Sequence, residues 1–387
     1  MVPEAEFASY YGRPIIKSPT WKVPDVPAYL YLGGVAGVSA TLSALADVTD
    51  RPALRRIGRF ASLLGATVSV GALVHDLGRP ERFLNMLRVI KPTSPLSVGS
   101  WILAPFGTLA AVAAASELTG IAPGLGRLAG AGAGVLGPAL TTYTAVLLAD
   151  TAVPAWHAGY RELPFVFAGS AMASGGGAGL LAGRDAGPAR KVAVAGAVLE
   201  LAATAVLERR IGYARRAYIE GRAGTVLRAA RAATVAGALG AVAGGLVTGR
   251  RGRVLSVGAG LLLNAASAAT RYGVFDAGMV SSRDPAYTVV PQRERLAARE
   301  AAVRGEFTTS PVGAPDPHTT TRGVDDMAMG DKIDHKAEEL KGKAKEGIGK
   351  ATDDHRLEGE GKADQASGHV KQAGDKIKDA AKDVFKK

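Results

Sequence analysis

The sequence predicts an all-α polytopic membrane protein of about eight transmembrane helices, continued by a linker and a marginally helical soluble tail. Three observations carry this. Apolar runs of about 20 residues, the length that crosses a hydrocarbon core of about 30 Å, follow one another from residue 28 to residue 274. Apolar residues make up 47% of the chain but aromatics only 6%, and 50 glycines accompany them, so the runs suit helices whose backbones approach closely in lipid. The third observation is charge. Residues 331–387 hold 14 Lys and Arg against 13 Asp and Glu, and the rest of the chain 33 against 22, so all but one unit of the net charge of +12 belongs to the apolar part. There the arginines cluster between runs as loop anchors do, which argues against a nucleic-acid-binding face.

Residues 1–27 contain three acids and five prolines and lack a short apolar core followed by a small-residue cleavage site, so the first run is expected to remain as an uncleaved span. The spans are expected at 28–46, 57–75, 100–118, 128–154, 163–182, 192–207, 227–247 and 254–274. Pro138 is expected to kink or shorten the fourth. Glycine stretches such as Gly175-Gly176-Gly177 and Gly130-Ala131-Gly132-Ala133-Gly134 are poor in a soluble helix and suited to contact between helices in a membrane. An even number of spans puts both termini on one side. Loop arginines and lysines balance across the two faces, and Arg13, Lys17, Lys22 and the C-terminal basic residues tip the count toward cytoplasmic termini in a multi-pass cell-membrane protein.

The pattern breaks after Asp276. The division expected is an N-terminal interfacial segment at 1–27, a membrane domain at 28–276, an interfacial helix and disordered linker at 277–330, and a helical tail at 331–387. The tail carries few large apolar residues, among them Ile333, Leu340, Ile348, Leu357 and Val370. So few offset little of an ordering entropy of about 1–2 kcal/mol per residue, and a marginal helical hairpin is the expectation.

Chemistry centres on a charged, proline-punctuated insert, His75-Asp76-Leu77-Gly78-Arg79-Pro80-Glu81-Arg82-Phe83, that continues to Gly99-Ser100-Trp101. His75 and Asp76 end the second run, Asp150 and His157 flank the end of the fourth, Tyr29 opens the first, and Tyr143 lies deeper in the fourth. One membrane face thus gathers imidazoles, carboxylates and phenols. Such a set supplies what a quinone needs: a donor to each carbonyl oxygen and a group that exchanges protons. The competing reading is interface anchoring, in which Tyr and His sit at headgroup level by amphipathicity alone. Glu200 stands mid-span with no adjacent charge, and two roles fit it: a protonated structural acid or a step in a proton path. Arg228 and Arg231 are candidate partners for it, while Arg271 has an interfacial explanation.

With no cysteine, the chain holds no thiolate-ligated iron–sulfur cluster, and with only His75 and His157 in the membrane part it has histidines for at most one haem. The reading adopted assigns no haem, cluster or metal to this chain. No glycine run follows a strand with dinucleotide spacing.

Asp76 through Phe83, then Lys91-Pro92-Thr93-Ser94-Pro95 and Gly99-Ser100-Trp101, resembles the signature of the NrfD/polysulfide-reductase membrane-anchor family. Tyr10-Tyr11-Gly12-Arg13-Pro14, Tyr143-Thr144, Pro154-Ala155-Trp156 and Leu163-Pro164-Phe165-Val166-Phe167 agree with it in order. The resemblance implies a cofactor-free helical subunit that binds menaquinone or ubiquinone near one face. It also implies partners, a ferredoxin-like iron–sulfur subunit wired to a molybdopterin catalytic subunit. By position, Tyr143 matches a quinone-contacting tyrosine and Asp76 the acid that opens the Gly-Arg-Pro motif. Where some members carry Asn and His at the start of the first span, this chain has Asp25, Val26 and Tyr29, which makes Tyr29 the candidate second donor. The tail, with Gly-Lys repeats around Thr352-Asp353-Asp354, resembles the small stress-associated CsbD-like family, which implies a bacterial setting. The expected function is electron transfer between the quinone pool and the iron–sulfur partner. The rivals are a transporter or proton channel centred on Glu200, and a stress-linked membrane scaffold built around the tail.

Overall fold

The computed structural model describes residues 14–79 and 81–308, and every regular element among them is helical. The helices are α1 (Asp25–Val48), α2 (Pro52–Asp76), α3 (Arg82–Met86), α4 (Pro95–Thr119), α5 (Pro123–Ala149), α6 (Pro154–Ala158), α7 (Leu163–Gly179), α8 (Gly187–Arg210), α9 (Arg215–Ile219), α10 (Gly221–Leu246), α11 (Gly249–Arg283) and α12 (Ala286–Thr308). Tighter 3₁₀ turns at Leu180–Ala186 and Gly212–Ala214 link α7 to α8 and α8 to α9. Proline opens α2, α4, α5, α6, α7 and α8 within their first two positions, where its missing N–H leaves no helical bond unmade.

Among the described residues six helices are long and apolar enough to cross a membrane: α1, α2, α4, α5, α10 and α11. The other two expected spans fall short of that standard. α7 has 17 residues, and α8 carries Arg190, Lys191, Glu200, Glu208, Arg209 and Arg210. Two boundaries differ from expectation. α5 stops at Ala149 and Pro154 opens the separate α6, so Pro138 sits inside an uninterrupted helix without shortening it. α11 runs 35 residues to Arg283, beyond the expected end at residue 274, because its last turns stay buried against the aromatic groups of α6. The Tyr10 to Arg13 part of the N-terminal motif, the linker beyond residue 308 and the 331–387 tail lie outside the described residues.

The long helices form two groups. α1, α2, α4 and α5 pack on one another, as do α7, α8, α10 and α11, and the groups meet where α7 lies against α1 and α5 and α11 lies against α1. Small residues set these contacts. Gly37 of α1 and Gly137 of α5 face each other so closely that a Cβ on either meets the other's carbonyl oxygen. Thr41 Oγ donates across the same seam to Gly134 O at 3.0 Å. On α7, a Cβ at Gly176 meets Ala193 N at 2.5 Å, so α8 rests on bare backbone there. In lipid, where no solvent drives apolar faces together, such close packing is the main attraction between helices.

The end of the first group opposite the start of α1 is held by charge. Arg59 Nη2 binds Asp47 at 2.7 Å and its Nη1 binds Glu117 at 3.0 Å, while Arg55 reaches Glu117 at 3.0 Å and Asp47 at 3.4 Å. The Arg59 and Glu117 side chains are 5% and 4% exposed, so these charges have left solvent together. The network ties α1, α2 and α4. The sequence held the signal, an arginine inside the second apolar run with acids ending two neighbouring runs.

The packing predicts a graded response to substitution. Gly137→Val forces α5 from α1 and should cost about 1–3 kcal/mol, the usual range for overpacking. Gly71→Ala on α2, where an added Cβ meets nothing within 4 Å, should leave stability unchanged or slightly raised. Thermal unfolding of the two variants in detergent micelles measures the contrast.

Candidate functional site

Five of the residues singled out in sequence meet where α1 begins and α2 ends. Asp25 lies in the first turn of α1, where the helix dipole favours an acid, and its Oδ2 is 2.7 Å from Nδ1 of His75 in the last turn of α2. Asp76 Oδ1 accepts the backbone N–H of Lys22 at 2.8 Å, and Lys22 Nζ donates to His75 O at 3.1 Å. The segment before α1 is thereby stitched to the end of α2. The His75 side chain is 74% exposed whereas that of Asp25 is 13% exposed, so the pair connects bulk water with the protein interior.

One turn deeper on α1, the buried Tyr29 lies beside Tyr143 of α5, with the Asp76 carboxylate near enough to act on it by charge. The Tyr143 ring covers Gly99 of α4 so closely that a Cβ there coincides with ring atoms. Two phenols, a carboxylate and an acid–imidazole pair therefore line one path from surface to interior. It offers two hydroxyl donors at depth and proton-exchanging groups toward water.

Asp150 and His157 do not join this path. Asp150 is exposed, and His157 Nδ1 lies 3.1 Å from Ala149 O while its ring stacks on Tyr160. That arrangement closes the end of α5. Beside it runs an aromatic wall that sequence reading missed. Trp156 is fully buried, stacks on Trp21 at 5.3 Å, packs against Phe275 at 5.8 Å, and donates from Nε1 to Val274 O at 2.8 Å.

Glu200 is 4% exposed; its Oε1 accepts the Thr270 hydroxyl at 2.6 Å and its Oε2 has no partner among the described residues. The cation facing it is Arg271. Arg231 pairs with Glu208 and Arg228 binds Ile219 O, so neither expected partner reaches Glu200. Because α11 continues past residue 274, Arg271 is interior and fully buried, not interfacial. Its guanidinium lies 3.8 Å from the Phe167 ring centroid and donates to Phe167 O at 2.6 Å, leaving Nε and Nη1 unpaired.

Below it a polar seam runs down α7 and α11. The Ser170 and Ser267 hydroxyls are 2.8 Å apart, and Asn264 Nδ2 donates to Ser174 O at 3.1 Å while its Oδ1 accepts Tyr31 OH at 2.8 Å. Residues 167, 170 and 174 thus oppose 271, 267 and 264, the 3,4 spacing of an antiparallel coiled-coil seam. Among the described residues no group of three or more His, Asp or Glu is placed to hold a metal ion.

The comparisons divide the chain. Residues 16–205 match the family described as polysulphide reductase, NrfD, and residues 331–383 match the CsbD-like family. Over the tail the chain is similar to a UPF0337 protein of Corynebacterium efficiens, 51% identical over 53 residues, which is 14% of this chain and 91% of the relative. A UPF0337 protein of Rhodopseudomonas palustris is 53% identical over 57 residues, 15% of this chain and 80% of the relative.

Arg271 and Glu200 should behave as one unit. Removing one of two facing buried charges leaves the other uncompensated, whereas replacing both with apolar groups of similar volume is near neutral. Arg271→Met should therefore destabilise strongly, and Glu200→Leu in the same background should recover most of the loss. A double-mutant cycle of unfolding midpoints reads the coupling.

Proposed function

Since residues 16–205 belong to the polysulphide reductase NrfD family, membrane-anchor subunits of oxidoreductase complexes, and residues 331–383 to the CsbD-like proteins, we propose that the α1 face of this chain oxidises or reduces a membrane quinone. The observation that carries the proposal is the Tyr29–Tyr143 pair beside Asp76, one turn beneath the Asp25–His75 pair. Menaquinone or ubiquinone, each with two carbonyl oxygens across one ring, matches two phenol donors. Quinol oxidation releases two protons and two electrons. Asp76 and the Asp25–His75 pair pass the protons to water, His75 being the exposed end of that route. The electrons leave to a ferredoxin-like iron–sulfur partner of a molybdopterin catalytic subunit, docked on the basic shelf of Arg79, Arg82, Arg88 and Lys91 that follows α2.

We assign the α1 face and the C-terminal tail to the cytoplasm, on the balance of basic residues near both ends of the chain. A second reading, proton conduction through Glu200, draws on the unpaired Oε2 of that buried acid. Proton flux in proteoliposomes that contain this chain alone, abolished by Glu200→Gln, is the result that reading requires.

In the purified complex, Tyr143→Phe and Asp76→Asn should each lower quinol-dependent turnover about ten-fold, the scale of one lost hydrogen bond of about 1–1.5 kcal/mol. Tyr31→Phe, which touches only the α7–α11 seam through Asn264, should leave turnover unchanged. Unchanged turnover in both of the first two variants refutes the site. For the topology, alkaline phosphatase fused after Lys387 should be inactive and a fluorescent protein at the same point bright.

A further inference from the structure

We infer that the end of the second helix group remote from the quinone site binds an anionic phospholipid. The cavity there has a volume of about 720 Å³ and is bounded by the 3₁₀ turn after α7, the start of α8, the end of α10 and the start of α11. Four arginines line it, Arg184, Arg190, Arg250 and Arg253, and no carboxylate does. The acid nearest in sequence, Asp185, instead accepts the N–H of Ala53 at 2.9 Å on α2.

The arginines fall into two kinds. Arg190 is built in: its stem lies on Gly245, its Nε donates to Ala241 O at 2.9 Å, and its Nη2 donates to Ser256 Oγ at 3.2 Å. Arg184, Arg250 and Arg253 are exposed and have no acidic partner among the described residues. Three uncompensated guanidiniums held around one hollow repel each other, and a bound phosphate relieves that through charge-assisted, bidentate bonds. The first turn of α11, which begins at Gly249, adds backbone N–H groups at the same place.

What selects a lipid over a free anion is the neighbouring groove. A second hollow of about 550 Å³ shares Arg190 and Gly245 with the first and continues between α8 and α10 along Val194, Ala195, Val242 and Leu246. Its lining is apolar apart from Arg190 and Lys191. A basic pocket at the ends of membrane helices, opening onto an apolar groove between them, fits a headgroup and the first part of an acyl chain.

The test uses the full chain purified in a mild detergent and native mass spectrometry after addition of phosphatidylglycerol, phosphatidylcholine or inorganic phosphate. Phosphatidylglycerol should be retained at least ten-fold better than phosphatidylcholine. The Arg250→Gln/Arg253→Gln double variant, altered only at exposed positions, should lose that preference, and Ala195→Phe, which fills the groove, should weaken phosphatidylglycerol retention about ten-fold. Circular dichroism shows whether each variant keeps its helix content, and a shorter-chain phosphatidylglycerol that escapes the Ala195→Phe block provides the check on groove occupancy. Equal retention of the two lipids, retention unaffected by either variant, or displacement of phosphatidylglycerol by millimolar inorganic phosphate overturns the proposal.

Discussion

A guanidinium enclosed by apolar helices is the constraint on which this architecture turns. An arginine at the centre of a membrane helix costs about 2.5–3.5 kcal/mol even on insertion scales that allow for relaxation. Arg271 is fully buried, and what surrounds it comes from four helices. Phe167 of α7 gives a carbonyl oxygen and a ring face, Glu200 of α8 gives charge, Thr270 on α11 holds that carboxylate, and Gly34 of α1 admits Nη2 to within 3.2 Å of where a Cβ would stand. A residue larger than glycine at position 34 moves α1 off the guanidinium. The meeting of the two helix groups is therefore set by satisfying one charge, and the serine and asparagine seam beneath it extends the same principle down α7 and α11.

The two ends of the helix assembly are secured by different means. Opposite the start of α1, Arg59, Arg55, Asp47 and Glu117 form a desolvated ion network that locks α1, α2 and α4. Each carboxylate is shared by Arg55 and Arg59, so every member has two partners and this end resists movement. Where α1 begins and α2 ends the polar contacts are few and partly exposed: one Asp25–His75 pair and the bonds of Lys22 to the end of α2. Stiffness there comes from stacked rings, Trp21 on Trp156 and Phe275. A site that must admit a ligand is better placed at such an end than at one held by buried charge.

Much of this was legible in the chain. Span positions followed from run length, since a helix that crosses lipid needs about 20 apolar residues whatever its partners. The grouping of Tyr29, His75, Asp76 and Tyr143 followed from which end of each run they occupied. What failed to show was pairing. Nothing in sequence says that Glu200 faces Arg271 and not Arg231, because that depends on the rotation of α8 against α11. The length of α11 was hidden because Arg271 and Asp276 interrupt its hydropathy, although the first is paid for by buried partners. Asp150 and His157 share a face with the tyrosines, and the turn into α6 sets His157 against the end of α5 while Asp150 stays exposed.

Gly99 shows how a short motif can be read physically. A Cβ there would stand 2.1 Å from Cε2 of Tyr143 and overlap the ring. With α4 bare at this point, the half-buried Tyr143 ring packs against α4 on one side and beside Tyr29 on the other. The close packing of α5 on α4 at this point therefore rests on one missing methyl group. The adjacent Ser100 and Trp101 serve the helix: Ser100 donates to Leu96 O at 2.9 Å, and Trp101 Nε1 reaches Val89 O at 3.4 Å, anchoring α4 to the loop that carries the basic shelf. The motif thus joins the basic loop after α2 to the Tyr143 phenol of α5, and it does so within three consecutive residues.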